Sequence, residues 1–181
     1  MLEDKLLLWR LRSGNKDALR RIYEKHRGYL LTVAANLLDD PGAAEDAVQD
    51  AFVSFIKTAK KFQLTGSIRG FLATCVANRA RDFIRRGKRR PVIHLDNVAP
   101  PVDENAAPVR LVEQTELLFK AQKALTELPY EQRETIVMRL HGGMRFRQIA
   151  RIQNVSTKTA QSRYKYGLDK LRVSLNGEVT E

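Results

Sequence analysis

The residues Asn154, Val155 and Ser156 fall between two stretches of helical periodicity, and that break constrains the chain more than any other feature. Before it, Phe146, Ile149 and Ala150 mark the apolar side of a short helix. After it, Ala160, Tyr164, Leu168 and Leu171 recur at spacings of four, four and three, which lines them up on one buried stripe. Asn154 and Val155 make the turn, and the hydroxyl of Ser156 caps a helix beginning at Thr157, where it satisfies a backbone N–H that has no partner inside the helix. The stretch from Met144 to Arg172 is thus predicted to be a helix-turn-helix. Its solvent side carries Lys158, Thr159, Gln161, Ser162, Lys165 and Tyr166: cations for phosphates, short polar groups for base edges, with the capped end placed to enter a major groove. An ordinary amphipathic hairpin with a solvated charged side has the same pattern, so the rest of the chain decides between the two.

Charge favours the first reading. The 32 Lys and Arg against 21 Asp and Glu leave a formal charge of +11, which suits a polyanionic partner, nucleic acid ahead of an anionic membrane surface. A single cysteine, Cys75, excludes an internal disulfide framework, and its neighbours Leu72 and Val76 predict a packed thiol. The histidines His26, His94 and His141 are scattered, with no clustered cysteines, so neither a metal site nor a cofactor is expected. The opening MLEDKLLLWRLRSG is acidic and only briefly apolar, which predicts neither a signal peptide nor a membrane span and places the protein in the cytoplasm.

Taken in order, the chain predicts an all-α fold of two small helical domains joined by a flexible linker, the second containing the helix-turn-helix. Leu6, Leu7, Leu8 and Leu11 open a first helix ended by Ser13, Gly14 and Asn15; a second runs from near Lys16 to the break at Asp39-Asp40-Pro41-Gly42. Asp40 is the N-cap of a third, with Pro41 at its first position, where a missing N–H costs nothing. That helix has an apolar side of Val48, Phe52, Phe55 and Ile56 and a polar side of Glu45, Asp46, Gln49 and Asp50. Glu45 and Asp46, read as first-turn residues, compensate the helix dipole, but Asp50 is too far along for that, so the patch is read as a protein-docking surface. Ser67 caps a fourth helix with Phe71, Leu72, Cys75, Val76, Phe83 and Ile84 inside, which ends in seven basic residues from Arg79 to Arg90.

Four of the six prolines then fall between Pro91 and Pro108. Residues 1–90 hold nineteen basic and ten acidic side chains, a net +9; residues 91–115 hold one and four, a net −3; residues 116–181 hold twelve and seven, a net +5. Two basic domains flank an acidic tether. The second domain, 116–175, begins with Leu117, Leu118, Ala121, Leu125 and Leu128; Pro129 starts a further helix, which Gly142 and Gly143 end before the helix-turn-helix.

Four segments in this order, AEDAVQDAFVSF at 44–55, FLATCVANRARDFIRR at 71–86, ALTELPYEQRETIVMRL at 124–140 and RQIARIQNVSTKTAQSR at 147–163, resemble those of a bacterial RNA polymerase sigma factor of the small, extracytoplasmic-function group. The resemblance implies a first domain (1–90) that holds core RNA polymerase and reads the promoter element near the start site, and a second (116–175) that reads the minus-thirty-five element. On matching positions, Glu45, Asp46, Gln49 and Asp50 become the polymerase-docking patch. The loop Gln63–Ser67 with Asn78, Arg79, Asp82, Arg85 and Arg86 becomes the part that captures the opened non-template strand. Ser156, Thr157, Lys158, Thr159, Gln161, Ser162, Arg163 and Lys165 become the residues on duplex DNA. Core polymerase and promoter DNA are then the partners, an anti-sigma protein a further one, and no catalysis is implied. The chain departs from the family in having Phe71-Leu72 for Trp-Leu, Gln148 for Glu and Ala160 for Val.

Two rival functions fit less of the chain. A free-standing helix-turn-helix regulator accounts for Met144–Arg172 but leaves the first ninety residues idle. A nucleic-acid-processing enzyme with Glu45, Asp46 and Asp50 on a metal lacks a second ligand set.

Overall fold

The computed structural model describes residues 2–59, 67–89 and 119–176, and among these the chain forms eight α-helices and no strand. Residues 60–66, which include most of the expected Gln63–Ser67 loop, the expected linker 91–115 and the residues from 177 on lie outside the described residues. The helices are α1 (Leu2–Arg12), α2 (Lys16–Ala35), α3 (Pro41–Ala59), α4 (Ile68–Arg89), α5 (described over 119–126), α6 (Tyr130–Leu140), α7 (Phe146–Gln153) and α8 (Thr157–Asn176).

The helix starts follow from their capping side chains. Asp40 Oδ1 accepts from the Ala43 N–H at 3.0 Å, Ser67 Oγ from the Gly70 N–H at 3.0 Å and Ser156 Oγ from the Thr159 N–H at 3.0 Å. Asn15, read from sequence as part of a turn, also caps α2 through its Oδ1 and the Ala18 N–H at 3.2 Å. Because α3 begins at Pro41, Glu45 and Asp46 lie in its second turn and not its first. Dipole compensation therefore explains them less well than the sequence suggested.

In the first domain α3 packs on both α4 and α2, and Ile22, Leu30, Val33, Leu37, Phe55, Ile68, Leu72 and Val76 are fully buried between them. Each such side chain contributes about 1.5–3 kcal/mol by leaving water. The buried arc of α3 is centred on Ala44, Ala47, Ala51 and Phe55, small residues that let the neighbouring helices approach closely. Ile56 falls just past the edge of that arc and is 45% exposed, and Phe83 on α4 is 46% exposed, so neither belongs to the core as their spacing had suggested. Phe71, standing where the family has Trp, stacks tilted on Phe55 with 6.0 Å between ring centroids.

The two domains share one core. Val137, Met138, Met144, Ile149, Ala150 and Ala160 of the second domain are continuous with the buried cluster of the first. Polar contacts cross the same boundary: Arg69 donates to the His141 carbonyl at 2.9 Å, and Arg133 donates to Asp39 Oδ1 at 3.0 Å.

Candidate nucleic-acid interface

In the second domain the sharp turn between α7 and α8 is made by Asn154 in the left-handed region, at φ 52°, which a short polar side chain tolerates. The start of α7 is held by Gln148, whose Oε1 accepts from the Arg145 N–H at 2.9 Å. The amide oxygen thus does the capping that the family's Glu would do, and the departure costs little. Behind α8, Ala160 is fully buried, Tyr164 meets Phe146 edge-on at 5.3 Å, and Gly167 lies so close to α6 that an added Cβ would stand 2.7 Å from Ile136 Cδ1.

That packing turns Ser156, Thr157, Lys158, Thr159, Gln161 and Lys165 to solvent, with Ser162 half-buried. The Ser156 and Thr159 hydroxyls bond each other at 2.8 Å and so complete the cap. Arg163 is half-buried and donates to Gln153 Oε1 at 2.7 Å, which ties α8 to α7. Lys158, Gln161, Lys165 and Tyr166 are the exposed long side chains of the face.

The first domain brings together two sets of residues that the sequence presented separately. Asp46, Gln49 and Asp50 of α3 and Arg79, Asp82 and Arg86 of α4 line one cleft of about 370 Å³. Asp50 and Arg79 form an ion pair across it, and Arg85 reaches back to Asp82 at 2.9 Å. Glu45, Asn78 and Arg85 are exposed outside the lining. The cleft therefore joins the acidic patch of α3 to the start of the basic end of α4. Cys75 of α4 is half-buried, and burial pushes its thiol up to about 11, which leaves little reactive thiolate at neutral pH.

A polar cluster between the domains went unread in the sequence. Glu134 is fully buried, and its carboxylate accepts from Arg81 of α4 and from Gln153 Nε2, each at 2.8 Å, and from the Tyr130 hydroxyl at 3.3 Å. Burial, then the Glu134 charge, raises the Tyr130 pKa well above the usual range and keeps it a donor. The signal was present: Glu134, Val137 and Met138 are spaced to share one helix face, so a carboxylate stood on the apolar side of α6.

Comparison with known proteins decides what these surfaces belong to. Residues 22–90 match the sigma-70 region 2 family, and residues 118–171 match sigma-70 region 4. The chain is a sigma factor. It is 30% identical over 151 residues to the ECF RNA polymerase sigma factor SigM of Mycobacterium tuberculosis, covering 83% of this chain and 74% of the relative. It is 26% identical to the RNA polymerase sigma factor CarQ of Myxococcus xanthus, covering 94% and 95%. These relatives place the sigma factor in the extracytoplasmic-function group, whose members direct RNA polymerase to promoters, as this one does. Two solved structures share its fold: CnrH in complex with the cytosolic domain of CnrY, at TM-score 0.69, 23% identity and 97% and 98% coverage, and Bartonella quintana RpoE in complex with the anti-sigma factor NepR, at TM-score 0.70, 22% identity and 87% and 96% coverage. Among its described residues no helix is long and apolar enough to cross a membrane.

Proposed function

We propose that the two domains of this sigma factor, 1–90 and 116–175 joined by 91–115, divide promoter recognition between them. The exposed face of α8, led by Lys158, Gln161 and Lys165, reads the upstream minus-thirty-five element, with Ser156, Thr157, Thr159, Ser162 and Arg163 supporting the docking of its N-terminal end. Asn78, Arg79, Asp82, Arg85 and Arg86, with the loop 63–67, follow the opened strand nearer the start site, where a cationic surface suits single-stranded DNA. Glu45, Asp46, Gln49 and Asp50 dock on core polymerase. What supports this reading is the cleft shared by Asp50 and Arg79, since it sets residues proposed for polymerase beside residues proposed for DNA on adjoining helices. The protein works in the cytoplasm, without catalysis of its own, and an anti-sigma protein holds it in check, as partners named for CnrH and RpoE suggest.

Run-off transcription with reconstituted core polymerase and a randomised promoter pool tests this. Selected promoters should share two separated elements. Enrichment of one element alone, or selection without polymerase, would instead favour a free-standing regulator.

A further inference from the structure

Of the three arginines proposed to follow the opened strand, Arg79, Arg85 and Arg86, two are held by carboxylates. Arg85 reaches Asp82, three residues before it on the same helix, at 2.9 Å, and Arg79 is ion-paired through Nη2 with Oδ2 of Asp50 on α3. The two pairs differ in what can break them. Asp82 and Arg85 belong to one helix and to one proposed surface. Asp50 and Arg79 belong to different helices and to different proposed surfaces, polymerase for the first and the opened strand for the second.

The Asp50–Arg79 pair does little to hold α3 on α4. Apolar packing around Phe55, Leu72 and Val76, all fully buried, already does that, and an ion pair whose partners both stand partly in water adds little to stability. What the pair changes is charge. A strand approaching α4 meets a neutral pair at this point in place of a cation, so Arg79 has lost most of its attraction for a phosphate. Because water reaches the pair, a cation or N–H donor of another protein can compete for the Asp50 oxygens without either helix moving.

Resting on the division of surfaces proposed above, we propose that Asp50 masks Arg79 in the free sigma factor, and that core polymerase, by engaging Asp50, releases Arg79 to a phosphate of the opened strand. One carboxylate then serves both surfaces in turn. Docking on α3 adds a usable positive charge to α4 where the strand runs, so the chain gains this hold on single-stranded DNA only where polymerase is bound.

Binding of the full chain to a labelled oligothymidine strand at low salt reads the mask. Asp50→Asn keeps the side chain's shape and removes its charge. It should tighten binding about three- to fivefold and steepen the log–log salt dependence by about 0.7, as one further phosphate contact does on a single strand. In an Arg79→Ala chain the same change should bring a smaller gain and no steepening. Asp46→Asn removes an equal charge from the same cleft, where Asp46 has no ion pair among the described residues, and should act alike with or without Arg79. No steepening in Asp50→Asn, or equal effects of Asp50→Asn in the two backgrounds, would overturn the mask. Release is read on holoenzyme with a template carrying a pre-opened bubble. There Arg79→Ala should flatten the salt dependence by about 0.7, whereas in the free chain it should leave the slope unaltered. An unaltered slope in holoenzyme, or native polymerase affinity in Asp50→Asn, would overturn the release step. A native chain that formed no holoenzyme would instead sink the promoter reading, and the free-chain slopes would still decide the mask.

Discussion

Asp50 of α3 is ion-paired with Arg79 of α4 across a cleft whose other polar walls are Asp46, Gln49, Asp82 and Arg86. Both partners keep over two-fifths of their side-chain surface in water, at 43% and 45%, so the pair contributes only about 0–1 kcal/mol to stability. Its position matters more than its strength, because it couples a residue proposed to meet polymerase with one proposed to meet DNA.

Changing Gln49→Ala and Asp50→Ala together is therefore expected to leave the fold nearly intact, within about 1 kcal/mol, while weakening core-polymerase binding at least about tenfold and abolishing promoter-dependent transcription. Melting, pull-down affinity and run-off transcription on one preparation separate these effects. Normal polymerase binding by the folded variant would remove the cleft from docking.

On α8, Gln161 and Lys165 are both exposed yet should behave differently. Gln161→Ala should relax preference at one base pair of the upstream element, by about 1–3 kcal/mol, because an amide can pair with a base edge. Lys165→Ala should weaken all sequences alike and lessen the salt dependence, as loss of a phosphate contact does. Selection on a randomised upstream element reads both, and an unchanged profile for Gln161→Ala would place that residue off the bases.

Gly167 tests how tightly α8 is seated. An alanine there gains up to about 1 kcal/mol of helix propensity, but its Cβ would stand 2.7 Å from Ile136 Cδ1. Overpacking of this kind costs about 1–3 kcal/mol. Gly167→Ala should thus be at least about 1 kcal/mol less favourable in the native background than in Ile136→Val, which lacks that methyl. Equal effects in denaturant melts of the two backgrounds would mean the helices are not in close contact at this point.

His26 is buried between α1 and α2, with Asp4 3.9 Å from its Nε2. Burial lowers its pKa, an effect that Lys25 and Arg69 reinforce and that Asp4 and Glu3 oppose. The fold holds the ring neutral, so below about pH 6.5 the unfolded chain binds a proton that the fold resists. Stability should be full above that pH and fall as pH drops through the interval down to the depressed folded pKa. His26→Gln should flatten that part of the Tm–pH curve, and an unchanged slope would assign the loss to other groups.

Local order in this protein was legible without coordinates, because its causes are local. The caps at Asp40, Ser67 and Ser156 and the turn at Asn154 depend on residues three or four apart, and their chemistry is written in the residue types; of the stripe read on α8, Ala160 is buried while Tyr164, Leu168 and Leu171 are only half-buried. The acidic face of α3 and the basic end of α4 were readable for the same reason, as each lies on one helix. What tertiary structure alone decided is which of these surfaces meet. The Asp50–Arg79 pair, the close approach of Gly167 to Ile136 and the Arg81–Glu134 contact join residues far apart in the chain, and no periodicity within a helix specifies the partner beyond it. Ile56 and Phe83 show the converse: spacing marked them as core, and the rotation of α3 and α4 against their neighbours left both at the edge, in water.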